Sequence, residues 1–216
     1  MDSMIYIQFV CIALPLLLAM ALVDKKSRSS LGFIVIGMFM CVFISNVNGA
    51  IRSGSNESLF IITTAYTPIS EEFIKALPVL LYAFAISDKR ERLVTISMSL
   101  GIGFAILENS YILVSNVGSV SLFWAITRVF GASLMHGICT SAVGLGASFI
   151  HKKRKLFYCG TFSLLTLAII YHSIYNALVQ SKFQWIGFLL PIVTYIPIII
   201  AIENDKKKRK TLQKSL

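Results

Sequence analysis

The sequence predicts an all-α polytopic membrane protein, a bundle of about seven transmembrane helices with its N-terminus outside and its C-terminus in the cytoplasm. Three observations point there. Hydrophobic residues make up 56% of the chain and charged residues only 14%. The apolar residues run in long segments, not in the short alternations of a soluble domain. The basic residues gather in short clusters between those segments. A soluble domain of 216 residues could not enclose seven apolar helices of about twenty residues each.

Taken in order, the segments are 4–23, 31–49, 59–87, 93–117, 121–149, 157–180 and 184–202. Each is long enough to cross a hydrocarbon core at about 1.5 Å per residue. The first lacks a basic leader and is read as a span, not as a cleaved signal peptide. The third holds Pro68 and Pro78, so it is either one kinked helix or a re-entrant stretch followed by a span. Broken backbone in lipid has to be buried in protein or line a cavity. One helical membrane domain therefore covers 1–203, and a basic cytoplasmic tail covers 204–216.

Charge sets the expected orientation. Lys25, Lys26 and Arg28, then Lys89, Arg90 and Arg92, then Lys152 to Lys155, and six residues from Lys206 to Lys214 fall in alternate connections. The other connections hold only Arg52 and Lys182, a strong positive-inside bias. A net charge of +10 distributed this way is a topology signal, and no nucleic-acid partner is expected. The lipid bilayer is the expected partner, and the lysine-rich tail is either a contact for anionic lipid or a plain stop-transfer anchor. Cys11, Cys41, Cys139 and Cys159 form no CxxC pair and read as small hydrophobes.

Ionisable residues inside a span are costly and mark function. This chain carries Glu71, Glu72 and Lys75 in the third segment, Glu108 with Asn109 in the fourth, Arg128 and His136 in the fifth, and His172 with Asn176 in the sixth. Four segments thus bring polar groups to a shared depth, placed by residue count toward the outer face. Glu71 and Lys75 are i,i+4, as are His172 and Asn176, so each pair shares a helix face. Two such faces turned inward make a hydrolytic pocket in which a carboxylate activates water and imidazole and amide donors stabilise an oxyanion. Alternatives stay open residue by residue. Lys75 and Arg128 can simply neutralise Glu71, Glu72 or Glu108, and His136, among small residues, can be a packing histidine. Glu and His are also zinc ligands, but the chain has no HExxH and a His–Asn pair is an unusual ligand set, so no cofactor is expected.

Four motifs carry a resemblance. EEFIK at Glu71–Lys75, GFAILENSY at Gly103–Tyr111, RVFGASLMHG at Arg128–Gly137 and HSIYN at His172–Asn176 resemble the PrsW-type intramembrane proteases. More distantly they resemble the membrane endopeptidases that process CAAX-prenylated proteins. The resemblance implies a glutamate-dependent, non-metal intramembrane endopeptidase in the cell membrane. Glu71 would activate water with support from Glu72 and Lys75, and His172 and Asn176 would serve the oxyanion. The wider superfamily's FxxxH is here Phe104 to Glu108, typical of the PrsW-type branch, and His136 would fill the missing place. The implied substrate is a single-pass membrane protein cut near its extracytoplasmic side, such as an anti-sigma factor at its first cleavage. A small transporter or channel with a buried Glu/His/Arg path, or a zinc-dependent membrane protease, are the alternatives; neither two-fold repetition nor polar groups reaching both faces favours a transporter.

Overall fold

The computed structural model describes residues 3–20, 24–197 and 200, and these are helical apart from short connections. The elements are α1 (Ser3–Met20), α2 (Lys25–Gly54), a single turn α3 (Leu59–Ile61), a π-helical turn (Ile62–Tyr66), α4 (Thr67–Ala85), α5 (Arg90–Ser115), α6 (Leu122–Ala147) and α7 (Arg154–Val179). A shorter helix, α8 (Gln184–Pro197), follows. The tail expected at 204–216, and the domain limit at 203, lie outside the described residues.

The expectation of seven spans is overturned. Among the described residues four helices are long and apolar enough to cross a membrane: Ser27–Gly54 of α2, then α5, α6 and α7. The apolar stretches Met4–Leu18 and Gln184–Pro197 are shorter than the roughly 20 residues that a hydrocarbon core needs. The 59–87 segment carries a π turn, and its longest α-helical stretch, the 19 residues of α4, holds Glu71, Glu72 and Lys75. An N-out, C-in orientation was counted on seven crossings and does not follow from four. Pro68 follows the π turn directly, at the start of α4; it has no N–H to give back to the preceding turn, and the Thr63 carbonyl accepts from Asn176 Nδ2 of α7 instead.

Helix α4 is apolar outside and charged inside. Ile69, Phe73, Leu77, Leu81 and Phe84 are exposed along one face, while Glu71, Glu72, Lys75 and Val79 are buried on the other. That arrangement suits a helix with lipid on one side and a polar protein interior on the other. The link from α4 to α5 lies at the same end as that from α6 to α7: Lys152 Nζ donates to the Asp88 carbonyl at 2.9 Å, and Arg92 Nε donates to the Tyr82 hydroxyl. At the other end, Thr63 of the π turn donates to Gln180 Oε1 at 3.0 Å.

The spine of the bundle is α5, lying against α2 on one side and α6 on the other. Glycines permit that closeness, as small residues do in membrane helix pairs. A Cβ on Gly103 would strike the Ile34 carbonyl of α2, and one on Gly101 would strike the His136 carbonyl of α6. Both obstacles are backbone and cannot rotate away. Changing Gly101 to Ala is therefore expected to cost about 1–3 kcal/mol by overpacking. Thermal unfolding of the detergent-solubilised protein checks this, and an unchanged midpoint would remove Gly101 from the seam.

Candidate active site

Four helices deliver the site. Glu71, Glu72 and Lys75 come from α4, Phe104 and Glu108 from α5, His136 from α6, and His172 and Asn176 from α7. The first three and both histidines are no more than 3% exposed, whereas Glu108 is 24% exposed. Buried ionisable groups need partners, and most of these have them.

Lys75 Nζ donates to Glu72 Oε1 at 2.6 Å, so the buried ion pair is i,i+3 and not the i,i+4 pair with Glu71 that spacing alone suggests. The same Glu72 oxygen lies 2.8 Å from His172 Nδ1. A carboxylate there calls for a hydrogen on Nδ1, which leaves Nε2 of His172 as a lone pair. Lys75 also reaches His136 Nδ1 at 2.9 Å. An ammonium has no lone pair to offer, so Nδ1 accepts and Nε2–H donates to Glu108 Oε2 at 3.1 Å. The two imidazoles meet edge to face at 4.9 Å, and Phe104 packs against His136 at 4.9 Å with Lys75 above its ring at 4.7 Å.

Glu71 is different. Its Oε2 is buried and accepts no hydrogen bond; Glu72 Oε2 is likewise unpaired, but Glu72 is anchored through Oε1. Glu71 Oε2 faces His172 Nε2 at 3.8 Å, too far for a hydrogen bond. Two electron-pair donors thus point at one another across a gap. Two bonds of about 2.0–2.2 Å to a shared zinc-like cation would span it. Ligand atoms of Glu71, His136 and His172 all lie within 4.8 Å of one another. Two imidazoles and one carboxylate form a donor set that catalytic zinc sites use. Glu72 behind His172 is the carboxylate that orients a ligating imidazole through its other nitrogen. His136 can join the set once Lys75 or Glu108 releases one of its ring nitrogens. The residues fit a divalent cation.

Of the residues singled out in the sequence, Glu71, Glu72, Glu108, His136 and His172 converge in this cluster. Asn176, one turn along α7, has its Nδ2 donating to the Thr63 carbonyl at 2.9 Å and so ties α7 to the π turn. Arg128 makes no ion pair among the described residues; its guanidinium lies over the Trp124 ring at 5.8 Å. The reading of the sequence did not include Thr63, or the α2 residues that wall the approach to the cluster. The signal for Thr63 was present: Thr63 and Thr64 are hydroxyl residues set in an apolar run.

That approach is a cavity of about 660 Å³ bounded by α1, α2, the π turn, α4 and α5. Glu71 and Glu108 are the two carboxylates on its wall. The cluster is therefore enclosed toward α6 and α7 and open toward α2.

A protein-family model described as "PrsW family intramembrane metalloprotease" matches residues 26–202. No curated protein and no solved structure gives a significant match. The matched region contains every residue of the cluster and every wall of the cavity except α1.

Proposed function

Because the chain belongs to the PrsW family of intramembrane metalloproteases, matched over residues 26–202, we propose that it cleaves membrane-anchored proteins with the help of a divalent cation held by Glu71, His136 and His172. The observation that carries this reading is the pair of unshared donors, Glu71 Oε2 and His172 Nε2, facing each other at 3.8 Å in a buried site. When bound, a zinc-like cation supplies Lewis acidity toward a peptide carbonyl and lowers the pKa of water.

The remaining steps belong to the protein. A membrane-anchored segment enters the cavity beside α2 and brings a peptide bond to the wall where Glu71 and Glu108 sit. With Glu71 engaged as a ligand, Glu108 is the carboxylate left to take a proton from attacking water and return it to the leaving amine. His136 Nε2–H holds Oε2 of Glu108 and thereby aims the other oxygen. Lys75 and Glu72 keep the buried charge balanced and fix His172 through Nδ1. The Asn176–Thr63 link holds the π turn that bounds the cavity. A membrane-anchored anti-sigma factor, the substrate that the motif resemblance implies, is one candidate within this class.

Elemental analysis tests the reading directly. Protein purified without chelator is expected to hold about one zinc-class ion per chain. His172→Ala should lose it and Asn176→Ala should keep it. Activity that survives exhaustive chelation in metal-free protein would overturn the proposal.

A further inference from the structure

Helix α2 forms one wall of the cavity: Cys41, Ile44, Ser45, Asn48, Gly49 and Arg52 recur as a stripe at the three- and four-residue spacing of one helix face, flanked by Asn46, Ala50 and Ser53. The stripe begins at the depth of the site, where Cys41 shares a core cluster with Phe104, which packs on His136. It ends at Arg52 in the last turn of α2. The rise from Cys41 to Arg52 is about 16 Å at 1.5 Å per residue. An extended peptide covers that distance in about five residues at 3.3–3.6 Å each. Apart from Arg52, the only charged residues on the wall are Glu71 and Glu108; Glu108 lies one turn beyond Phe104, the inner neighbour of Cys41, and Glu71 follows Ser70, which donates to Asn48 Oδ1. Arg52 is exposed and has no ion-pair partner among the described residues. Ser45, Asn46, Asn48, Thr63 and Thr67 line the path between. Such groups suit a peptide whose own backbone hydrogen bonds are open, and a scissile bond has to be unwound before water reaches it.

We propose that this cleft binds the substrate as an unwound segment of about five residues, and that Arg52 selects an acidic side chain at the end of that segment farthest from the scissile bond. The proposal rests on the peptidase reading above for the location of the scissile bond, but recognition by Arg52 is measurable without cleavage. The polarity of the cleft, acids inside and a base at the mouth, then sets the direction in which the substrate lies. An acid at the inner end would meet Glu71 and Glu108, and a base at the mouth would meet Arg52, so the wrong orientation is repelled at both ends.

The test uses a designed single-pass peptide: a Leu/Ala span with a Gly/Ser flank along which one Asp, Ser or Lys is moved. Affinity is measured for Glu71→Gln protein in nanodiscs of uncharged lipid. Asp should bind about three- to fivefold tighter than Lys at one flank position, the scale of an exposed ion pair. Added Arg52→Glu should reverse that preference and Arg52→Gln should level it. In the wild-type protein the cut should fall about five residues from the preferred position. A flat profile, a profile unmoved by Arg52→Glu, or no binding of any peptide would overturn the assignment. A charge profile that survives while wild-type protein cuts nothing would sink the peptidase reading and leave the cleft assignment standing.

Discussion

Glu71→Gln is expected to lower proteolysis by about 10³-fold or more while leaving the fold intact. The size follows from the several kcal/mol that a correctly held cation contributes to a transition state, with 1.4 kcal/mol equal to a factor of ten. The fold should survive because Glu71 Oε2 has no donor to lose. Removing an unpaired buried charge is neutral or stabilising, in contrast to breaking a satisfied pair. The combination is the diagnostic part: activity and bound metal fall together while the unfolding midpoint stays at or above that of metal-stripped wild-type protein. Turnover of a reconstituted single-pass substrate, metal content and thermal unfolding on one preparation give all three. Full activity in this variant would end the proposed mechanism.

Glu108→Gln should separate the proton-transfer step from the ligand set. Glutamine keeps the shape and can still accept from His136 Nε2 through its carbonyl oxygen. Metal content is therefore expected to stay near wild type while turnover falls about 10²- to 10⁴-fold, the usual contribution of a general base. A competing role is counter-charge for Arg128 or Lys75. In that case turnover per folded molecule persists and the unfolding midpoint drops. Comparing turnover at matched metal occupancy decides between them, and wild-type turnover would remove Glu108 from the chemistry.

The helical membrane class was legible from apolar run length, and the motifs picked out every residue of the buried cluster. Their pairings were not legible. Residue spacing makes Lys75 equally able to reach Glu71 or Glu72, and in the folded protein it pairs with Glu72. Glu71 is left facing His172 across a gap, and a linear motif cannot show a gap. The absence of HExxH argued against metal because that motif supplies two ligands from one helix. The donor set proposed here comes from α4, α6 and α7, so no single segment announces it. The number of spans was over-read for a related reason. Apolar patterning does not show where an α-helix starts and stops, and residues 59–87 look uniformly α-helical although they carry a π turn. Glycine content hinted at close packing, but which backbones meet at Gly101 and Gly103 is a tertiary fact.

The inside-out build of α4 bears on how the chain is made. Synthesis delivers α4 to the bilayer well before its partners: His136 lies 61 residues beyond Lys75, and His172 lies 100 residues beyond Glu72. A lone charge in an apolar helix delivered to the bilayer is costly, up to about 2.5–3.5 kcal/mol on translocon scales for one at the centre of a span. The Glu72–Lys75 bond closes within a single turn, so two of the three charges travel as a pair from the moment the helix forms. Glu71 alone must wait for later helices. During biogenesis the carboxylate proposed here as a ligand is thus the one with the longest unpartnered lifetime, and a nascent chain stalled before α7 holds it without His172 to face.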